Sequence, residues 1–200
     1  MTERYKQIIN SFKKISGAVL KKDAEEKLGR YFDYLLEYNK KVNLISRMTE
    51  TEVLINALTE TYFFYENLRA KDGRFLDVGT GGGLPGIIIA VLMADSQVDL
   101  LDSIKKKTLF LELATKKIGL NNTKIINSRL ESLPVTDKYD AVFSRGVGHF
   151  ENLRRHYLNN VKKGGRLFLL TGKDNTQLFK GKKILKNPFL DNRVIIVLEK

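Results

Sequence analysis

Phe75-Leu76-Asp77-Val78-Gly79-Thr80-Gly81-Gly82-Gly83-Leu84-Pro85-Gly86 runs an apolar stretch into a glycine-rich turn with an acid just ahead of it. Glycines in such a turn permit positive φ and a close approach of backbone to a ligand, while Pro85 and the apolar run from Ile87 to Leu92 suit the start of a helix aimed at the turn. The pattern predicts a first strand, a loop and a helix around a nucleotide-type ligand. A second strand-like run, Val98-Asp99-Leu100-Leu101, ends at Asp102, which lies 102 − 79 = 23 residues beyond the first loop glycine, a spacing that suits a carboxylate on ribose hydroxyls.

Outward from this stretch the chain divides by periodicity. Tyr5, Ile8, Ile9, Phe12 and Ile15 fall at helical spacing, as do Ala24, Leu28, Tyr31, Phe32 and Leu35, and then Val53, Leu54, Ala57, Leu58, Thr61, Phe64 and Leu68. Asp23 and Glu26 form a candidate capping box for the second of these helices. From Phe75 onward short apolar strands alternate with helical stretches, with strands expected at 75 to 78, 97 to 101, 124 to 127, 139 to 144, 166 to 170 and 193 to 198. The expected fold is a Rossmann-like, doubly wound α/β sheet over residues 71–200, with residues 1–70 as a helical N-terminal cap packed on it.

The ligand class follows from the acid before the glycines. Nicotinamide enzymes carry G-x-G-x-x-G facing a pyrophosphate, whereas this loop reads acid-x-G-x-G-x-G. A carboxylate at Asp77 suits a ligand with a positive amino group and no phosphate, so S-adenosylmethionine explains the loop better than a dinucleotide. Ligands of open α/β sheets sit outside the carboxyl ends of the strands, which marks Ser128 to Glu131, Ser144-Arg145-Gly146 and Thr171-Gly172-Lys173 as further walls of the same crevice. Backbone amides around Leu130 are placed to read an adenine edge, with Glu131 either nearby or simply solvated. Arg145 either holds a carboxylate or phosphate bidentately or caps the fourth strand at the surface.

The chain has 200 residues and 42% apolar content, enough for one domain with a core of its own. It holds no cysteine and two histidines, which excludes disulfides, thiolate metal sites and a cysteine nucleophile; no metal centre is expected. The longest apolar run, Ile87 to Ala94, is too short to span a bilayer, and the first residues hold no signal-type apolar core, so a cytoplasmic location and no membrane partner are expected. Net charge is +12. Between Arg154 and Lys186 stand ten Lys or Arg against one acid, Asp174, so this segment carries nine of the twelve net charges, a field that attracts a polyanion. Solvated surface lysines are the plainer account of the same charge. Beside a methyl-donor loop, the charge makes nucleic acid the preferred substrate class.

Over nearly its whole length the sequence resembles the small-subunit ribosomal RNA methyltransferase G (GidB) family. Tyr38-Asn39-Lys40-Lys41-Val42-Asn43-Leu44 is similar to the family's W-N-K-x-x-N-L, and Leu76 to Gly86 to its L-D-V-G-S-G-A-G-x-P-G. Leu101-Asp102-Ser103 with Lys105 and Lys106 resembles L-D-S-x-x-K-[KR], Ser128 to Glu131 the R-x-E block, Phe143 to Gly146 the S-R-A block, and Pro188 to Arg193 the P-G-L-x-x-x-R block. The resemblance implies a class I S-adenosylmethionine-dependent methyltransferase that modifies guanine N7 in small-subunit (16S) ribosomal RNA. It further implies that Asp77, Gly79, Gly81, Leu84, Leu130, Glu131 and Arg145 bind S-adenosylmethionine, with Asp102 on its ribose. Small-subunit ribosomal RNA or the small ribosomal subunit is the expected partner, and a monomer is expected.

Two blocks depart from the family. Its R-H-x-x-D-S-L stands here as Ile55-Asn56-Ala57-Leu58-Thr59-Glu60-Thr61, where Asn56 and Glu60 keep some polarity, and the lysine of its L-K-G is Thr171, with Lys173 two positions on as a substitute. These departures leave open a relative that acts as an RNA-binding or ribosome-assembly factor. Guanine N7 exposes a lone pair, so its methylation needs no deprotonation, and no firm catalytic residue is expected beyond the candidates Arg145 and Lys173. His149 is either a crevice residue or a loop residue. Tyr38, Tyr62, Phe63, Phe64 and Tyr65 include candidates for stacking on a base, although Phe64 is expected in the core. Lys105 to Lys107 are expected on a solvated helix face.

Overall fold

The computed structural model describes residues 2–45, 50–68, 72–135, 138–146 and 150–200. Seven strands form one sheet in the order β3-β2-β1-β4-β5-β7-β6: β1 (Arg74–Val78), β2 (Gln97–Asp102), β3 (Thr123–Asn127), β4 (Tyr139–Arg145), β5 (Val161–Gly172), β6 (Lys183–Lys186) and β7 (Arg193–Glu199). β1 to β5 run parallel, and β7 returns antiparallel against β5 with β6 antiparallel at the edge. The six expected strands are therefore present. The sixth in the sheet's sequence order, β6, is a short lysine-flanked Lys-Ile-Leu-Lys segment whose two apolar residues give no usable alternation; lysines are a common guard of an edge strand.

Central parallel strands are covered on both faces and so read as continuous apolar runs. In β1, Phe75 enters one core and Leu76 and Val78 the other. The first core takes α1 (Glu3–Ser16), α2 (Lys22–Asn39), α3 (Glu50–Glu66), α4 (Gly86–Leu92) and α5 (Lys105–Ile118). The second takes α6 (Phe150–Asn160) and a 3-10 segment, Lys173–Phe179, which meet where the Phe150 and Phe179 rings lie 5.1 Å apart. Phe64 of α3 is fully buried, edge-on to Phe143 of β4 and Phe168 of β5, each at 5.0 Å, as expected of a core residue. Among the described residues no helix is long and apolar enough to cross a membrane.

The capping box at α2 does not form. The helix begins at Lys22, so Asp23 lies inside the first turn and pairs with Lys27 at 2.8 Å, while Glu26 pairs with Arg30 at 3.7 Å. An acid in a first turn still favours the helix through the macrodipole. β5 also starts earlier than expected, at Val161, because its register against β4 jumps from Tyr139↔Val161 to Ala141↔Arg166 and the Gly164-Gly165 interruption hides the first residues from an apolar pattern.

The end of α2 reaches the glycine loop through Asn39. Its side chain is fully buried; Oδ1 accepts from the Leu44 and Ile45 amides at 2.8 and 3.0 Å, and Nδ2 donates to Ile45 O and Glu50 Oε1. The asparagine thereby fixes the turn that sets Leu44 against Gly82, where an added Cβ would sit 3.4 Å from the Leu44 Cβ.

Candidate active site

β1 ends at Val78 and the chain turns through Gly79 (φ 71°) and Gly81 (φ 60°) before entering α4. Both φ values lie in the left-handed region that glycine enters without a Cβ penalty. The turn is tied to β2: the Gly79 and Thr80 amides donate to Leu101 O at 2.8 and 3.1 Å. The Tyr31 hydroxyl of α2 donates to Gly82 O at 2.6 Å, and burial, with the Asp77 charge adding to it, pushes its phenol well above the usual range, so it stays a donor.

Asp77 is fully buried beneath this turn, not in the wall of the cavity it helps to form. Its Oδ2 accepts from the Gly86 amide at 2.7 Å, at the start of α4, while Oδ1 is buried and unpartnered. Burial pushes its carboxyl up to about 7, helped by the Asp102 charge, with the Thr80 hydroxyl, the Gly86 amide and the Arg145 charge pulling the other way. The Thr80 hydroxyl lies near enough to temper the charge without reaching hydrogen-bond geometry, and it too is a buried, unpartnered oxygen. The placed hydrogen bond of Asp77 goes inward, to the start of α4, from the side of β1 that Phe75 also turns to the first core.

Asp102 ends β2 at the cavity. One oxygen accepts from the Gly81 amide at 2.9 Å and the other from the Ile104 amide at 2.9 Å, so one carboxylate holds both the glycine turn and the turn into α5. The cavity, about 430 Å³, opens at the carboxyl ends of β1, β2 and β4. Gly79, Asp102, Leu130, Glu131 and Arg145 all line it, five expected residues drawn from four separate blocks of sequence. Leu130 is buried and opens a 3-10 turn, Leu130–Ser132, after β3.

Three other expected residues stand off the wall. Gly81 touches Asp102 through its amide, Leu84 is packed in the core, and Lys173 is exposed at the end of β5 with its amide on Asn192 O. Lys173 therefore does not join the cavity. Ser144 lines it as expected, and so, without having been expected there, do Lys107 of α5 and Tyr157, although Lys105 and Lys106 are exposed as expected. Tyr157 lies within 3.4 Å of the Ser144 hydroxyl; burial raises its phenol, which keeps it protonated. Helical spacing gives no sign that Lys107 or Tyr157 faces a cavity, since each reads equally as an ordinary surface or core position. His149 lies outside the described residues.

Arg145 is held from α3. Its Nε donates to Glu60 Oε2 at 3.0 Å, and Arg193 Nε donates to Glu60 Oε1 at 2.7 Å. Glu60 sits on α3, only 2% exposed. Sequence reasoning noted Glu60 as residual polarity and missed its two partners; the available signal was an acid on a helix face shared with Ala57, Thr61 and Phe64, since carboxylates are almost never fully buried unpaired. Asn56, also noted, is half-buried on the same helix. Of the basic segment, Lys162 pairs with Asp140 and Arg166 with Glu199, while Arg154, Arg155, Lys163, Lys180, Lys182, Lys183 and Lys186 are exposed.

The cavity wall offers a carboxylate and backbone groups to hydroxyls and an adenine edge, and a guanidinium to an oxyanion. Its chemistry is that of holding and orienting.

A family model described as rRNA small subunit methyltransferase G matches residues 24–187. A protein of that name from Fusobacterium nucleatum is 34% identical over 143 residues, covering 70% of this chain and 62% of the relative. Another, from Serratia proteamaculans, is 33% identical over 166 residues, covering 82% of this chain and 79% of the relative. Among solved structures, a putative S-adenosyl-L-methionine-dependent methyltransferase from Methanococcus maripaludis superposes with a TM-score of 0.61 at 16% identity, covering 92% of this chain and 96% of that one. A ribosomal protein L11 methylase from Lactobacillus delbrueckii gives 0.60 at 15% identity, covering 73% and 79%. These two likenesses carry the fold, a doubly wound α/β sheet.

Proposed function

The chain belongs to the rRNA small subunit methyltransferase G family, and from that membership we propose that it transfers a methyl group from S-adenosylmethionine to N7 of a guanine in small-subunit ribosomal RNA. The observation that carries this reading is the convergence of Gly79, Asp102, Leu130, Glu131 and Arg145 on one cavity at the carboxyl ends of the parallel strands. S-adenosylmethionine supplies an electrophilic methyl group on a sulfonium centre.

The residues fit such a ligand. Asp102 accepts ribose hydroxyls while keeping the two backbone amides it already holds, since a carboxylate has about four acceptor sites. Leu130 and Glu131 present backbone and carboxylate to the base, and Arg145 presents a guanidinium to a carboxylate. Asp77, with its orphaned Oδ1, places a buried carboxyl directly under the turn. Asp77, Gly81 and Leu84 support the site from behind: Asp77 sets α4, Gly81 anchors Asp102, and Leu84 packs the turn to the core. Because guanine N7 carries its own lone pair, these residues need move no proton, and the rate gain comes from holding the two reactants in line and excluding water. The exposed lysines and arginines of residues 154–186 favour the RNA backbone as partner. In this reading residues 1–70 act as a cap on residues 71–200, through Phe64 and through Glu60 on Arg145, and the protein works as a monomer in the cytoplasm, where small ribosomal subunits are found.

The test is transfer of labelled methyl from S-adenosylmethionine to small ribosomal subunits lacking the modification, with the product located by cleavage chemistry selective for N7-methylguanine. Label at a single N7-methylguanine is expected; cofactor binding without label would move the reading to an RNA-binding or assembly role. Asp102→Asn turns one acceptor into an NH2 group facing a backbone amide and is expected to weaken cofactor binding about tenfold to a hundredfold, as loss of a charged hydrogen bond predicts. Calorimetric titration with S-adenosylhomocysteine checks it, and an unchanged affinity would remove Asp102 from the site.

A further inference from the structure

Glu60 is a nearly buried carboxylate shared by two arginines, and the sum of the three charges is +1. A buried triad of this kind is weak grounds for stability, since desolvation offsets much of the attraction. Its geometry says more. Each guanidinium spends only its Nε on Glu60, and none of the described residues accepts from the terminal amino groups of either arginine, although a guanidinium has five N–H donors. Both side chains keep part of their surface in solvent, 29% for Arg145 and 25% for Arg193.

Placement separates their roles. Arg145 ends β4 and lines the cavity. Arg193 begins β7, opposite Gly172 at the carboxyl end of β5, and does not line it. With β5 between them, the two backbones stand about 10 Å apart, so Glu60 spans two strands to hold both. An oxyanion bound at Arg193 would lie beside the cofactor cavity rather than inside it.

We propose that Arg193, oriented through its Nε by Glu60, binds a phosphate of the nucleic-acid substrate next to the methyl-donor cavity, with Arg145 on the cavity side of the same clamp. The inference rests on the function proposed above, and it assigns α3 a task beyond packing: Glu60 is a positioning residue that fixes the substrate backbone relative to the donor. A carboxylate on Nε leaves the paired amino groups of a guanidinium for bidentate contact with a phosphate, which a lysine cannot reproduce.

The test measures affinity for unmodified small ribosomal subunits across a salt series, beside calorimetric affinity for S-adenosylhomocysteine. Arg193→Gln is expected to weaken subunit binding about tenfold, to lower the slope of log affinity against log salt by about one, and to leave S-adenosylhomocysteine affinity unchanged. Arg193→Lys is expected to keep the salt slope. A fall in S-adenosylhomocysteine affinity with an unchanged salt slope would hand Arg193 to the donor's carboxylate and overturn the proposal, as would no change in either. Should the glutamine variant not fold, phenylglyoxal labelling of the wild type read by peptide mass spectrometry decides: protection of Arg193 by subunits supports the site, and protection by S-adenosylhomocysteine alone or by neither overturns it. Methyl transfer by the wild type is scored separately, so a protein that transfers no methyl yet shows the Arg193-dependent slope would lose the function and keep the site.

Discussion

Replacing Gly86 with alanine is expected to cost about 3 kcal/mol, in the upper range for forcing extra atoms into a packed core, and so to lower the melting temperature by roughly 10 °C for a chain of this size. Gly86 opens α4, where an alanine would ordinarily stabilise a helix by about 0.5–1 kcal/mol. Here the added Cβ would fall 2.3 Å from Leu100 Cδ2, 2.6 Å from Asp77 Oδ2 and 3.0 Å from Asp77 Cβ. Neither neighbour can yield: Leu100 and Asp77 are both fully buried, on adjacent paired strands with Asp77↔Leu100 in register. The same methyl would push the Gly86 amide off Asp77 Oδ2 and tilt α4 away from the glycine turn, so affinity for S-adenosylhomocysteine should fall along with stability. Thermal unfolding of Gly86→Ala beside the wild type checks it. A variant that melts at or above the wild-type temperature would mean that helix propensity governs and that α4 does not pack so closely on β1 and β2.

That close approach explains the uneven legibility of the chain. The glycine turn, its flanking strand and Asp102 were readable because their chemistry is local: positive φ at Gly79 and Gly81 demands glycine, and a carboxylate at the end of β2 has a turn amide in reach. Strands β1, β2 and β4 announce themselves as short, largely apolar runs because both faces are covered, whereas β6 has too few apolar residues to be seen and β5 begins behind two glycines. Side-chain direction was the less legible layer. Asp77 and Asp102 fall on the same face of the sheet beside the same turn, yet one is sealed beneath it and the other lines the cavity, a difference set by position along the strand: Asp77 pairs with Leu100, two residues short of Asp102.

Partners far apart in the chain were less legible still. Glu60 meets Arg145 and Arg193 across 85 and 133 residues, and no periodicity within α3 can name them. A signal of a kind did exist, since the substitution block at Ile55 to Thr61 placed an acid where helix spacing demands burial. A buried acid implies a cation somewhere; the fold is needed to say which. Lys173 illustrates the reverse case, a residue one position past a strand end that a sheet-edge rule brings to the crevice and the 3-10 turn after β5 carries outside.

Asp77→Asn is expected to gain stability relative to the wild type as pH rises, by up to roughly 4 kcal/mol between pH 4 and pH 8, at about 1.4 kcal/mol for each pKa unit. The carboxyl moves from 3.8 in the unfolded chain to about 7 in the folded protein. Between those values the folded state binds the proton and the unfolded state does not, so the contribution of Asp77 is favourable at low pH and is lost as pH rises through about 7. Asparagine carries no such charge. Its Oδ1 can accept from the Gly86 amide as the carboxylate does, and its NH2 can donate to the Thr80 hydroxyl, which now lacks a partner. The measurement is the difference in unfolding free energy between the two proteins from pH 4 to pH 8, which cancels the titration of every group they share. A difference that stays flat across that range would mean that Asp77 is ionised in the folded protein throughout. The glycine turn would then have to compensate a buried negative charge fully, through amides and the nearby Arg145, before any ligand arrives.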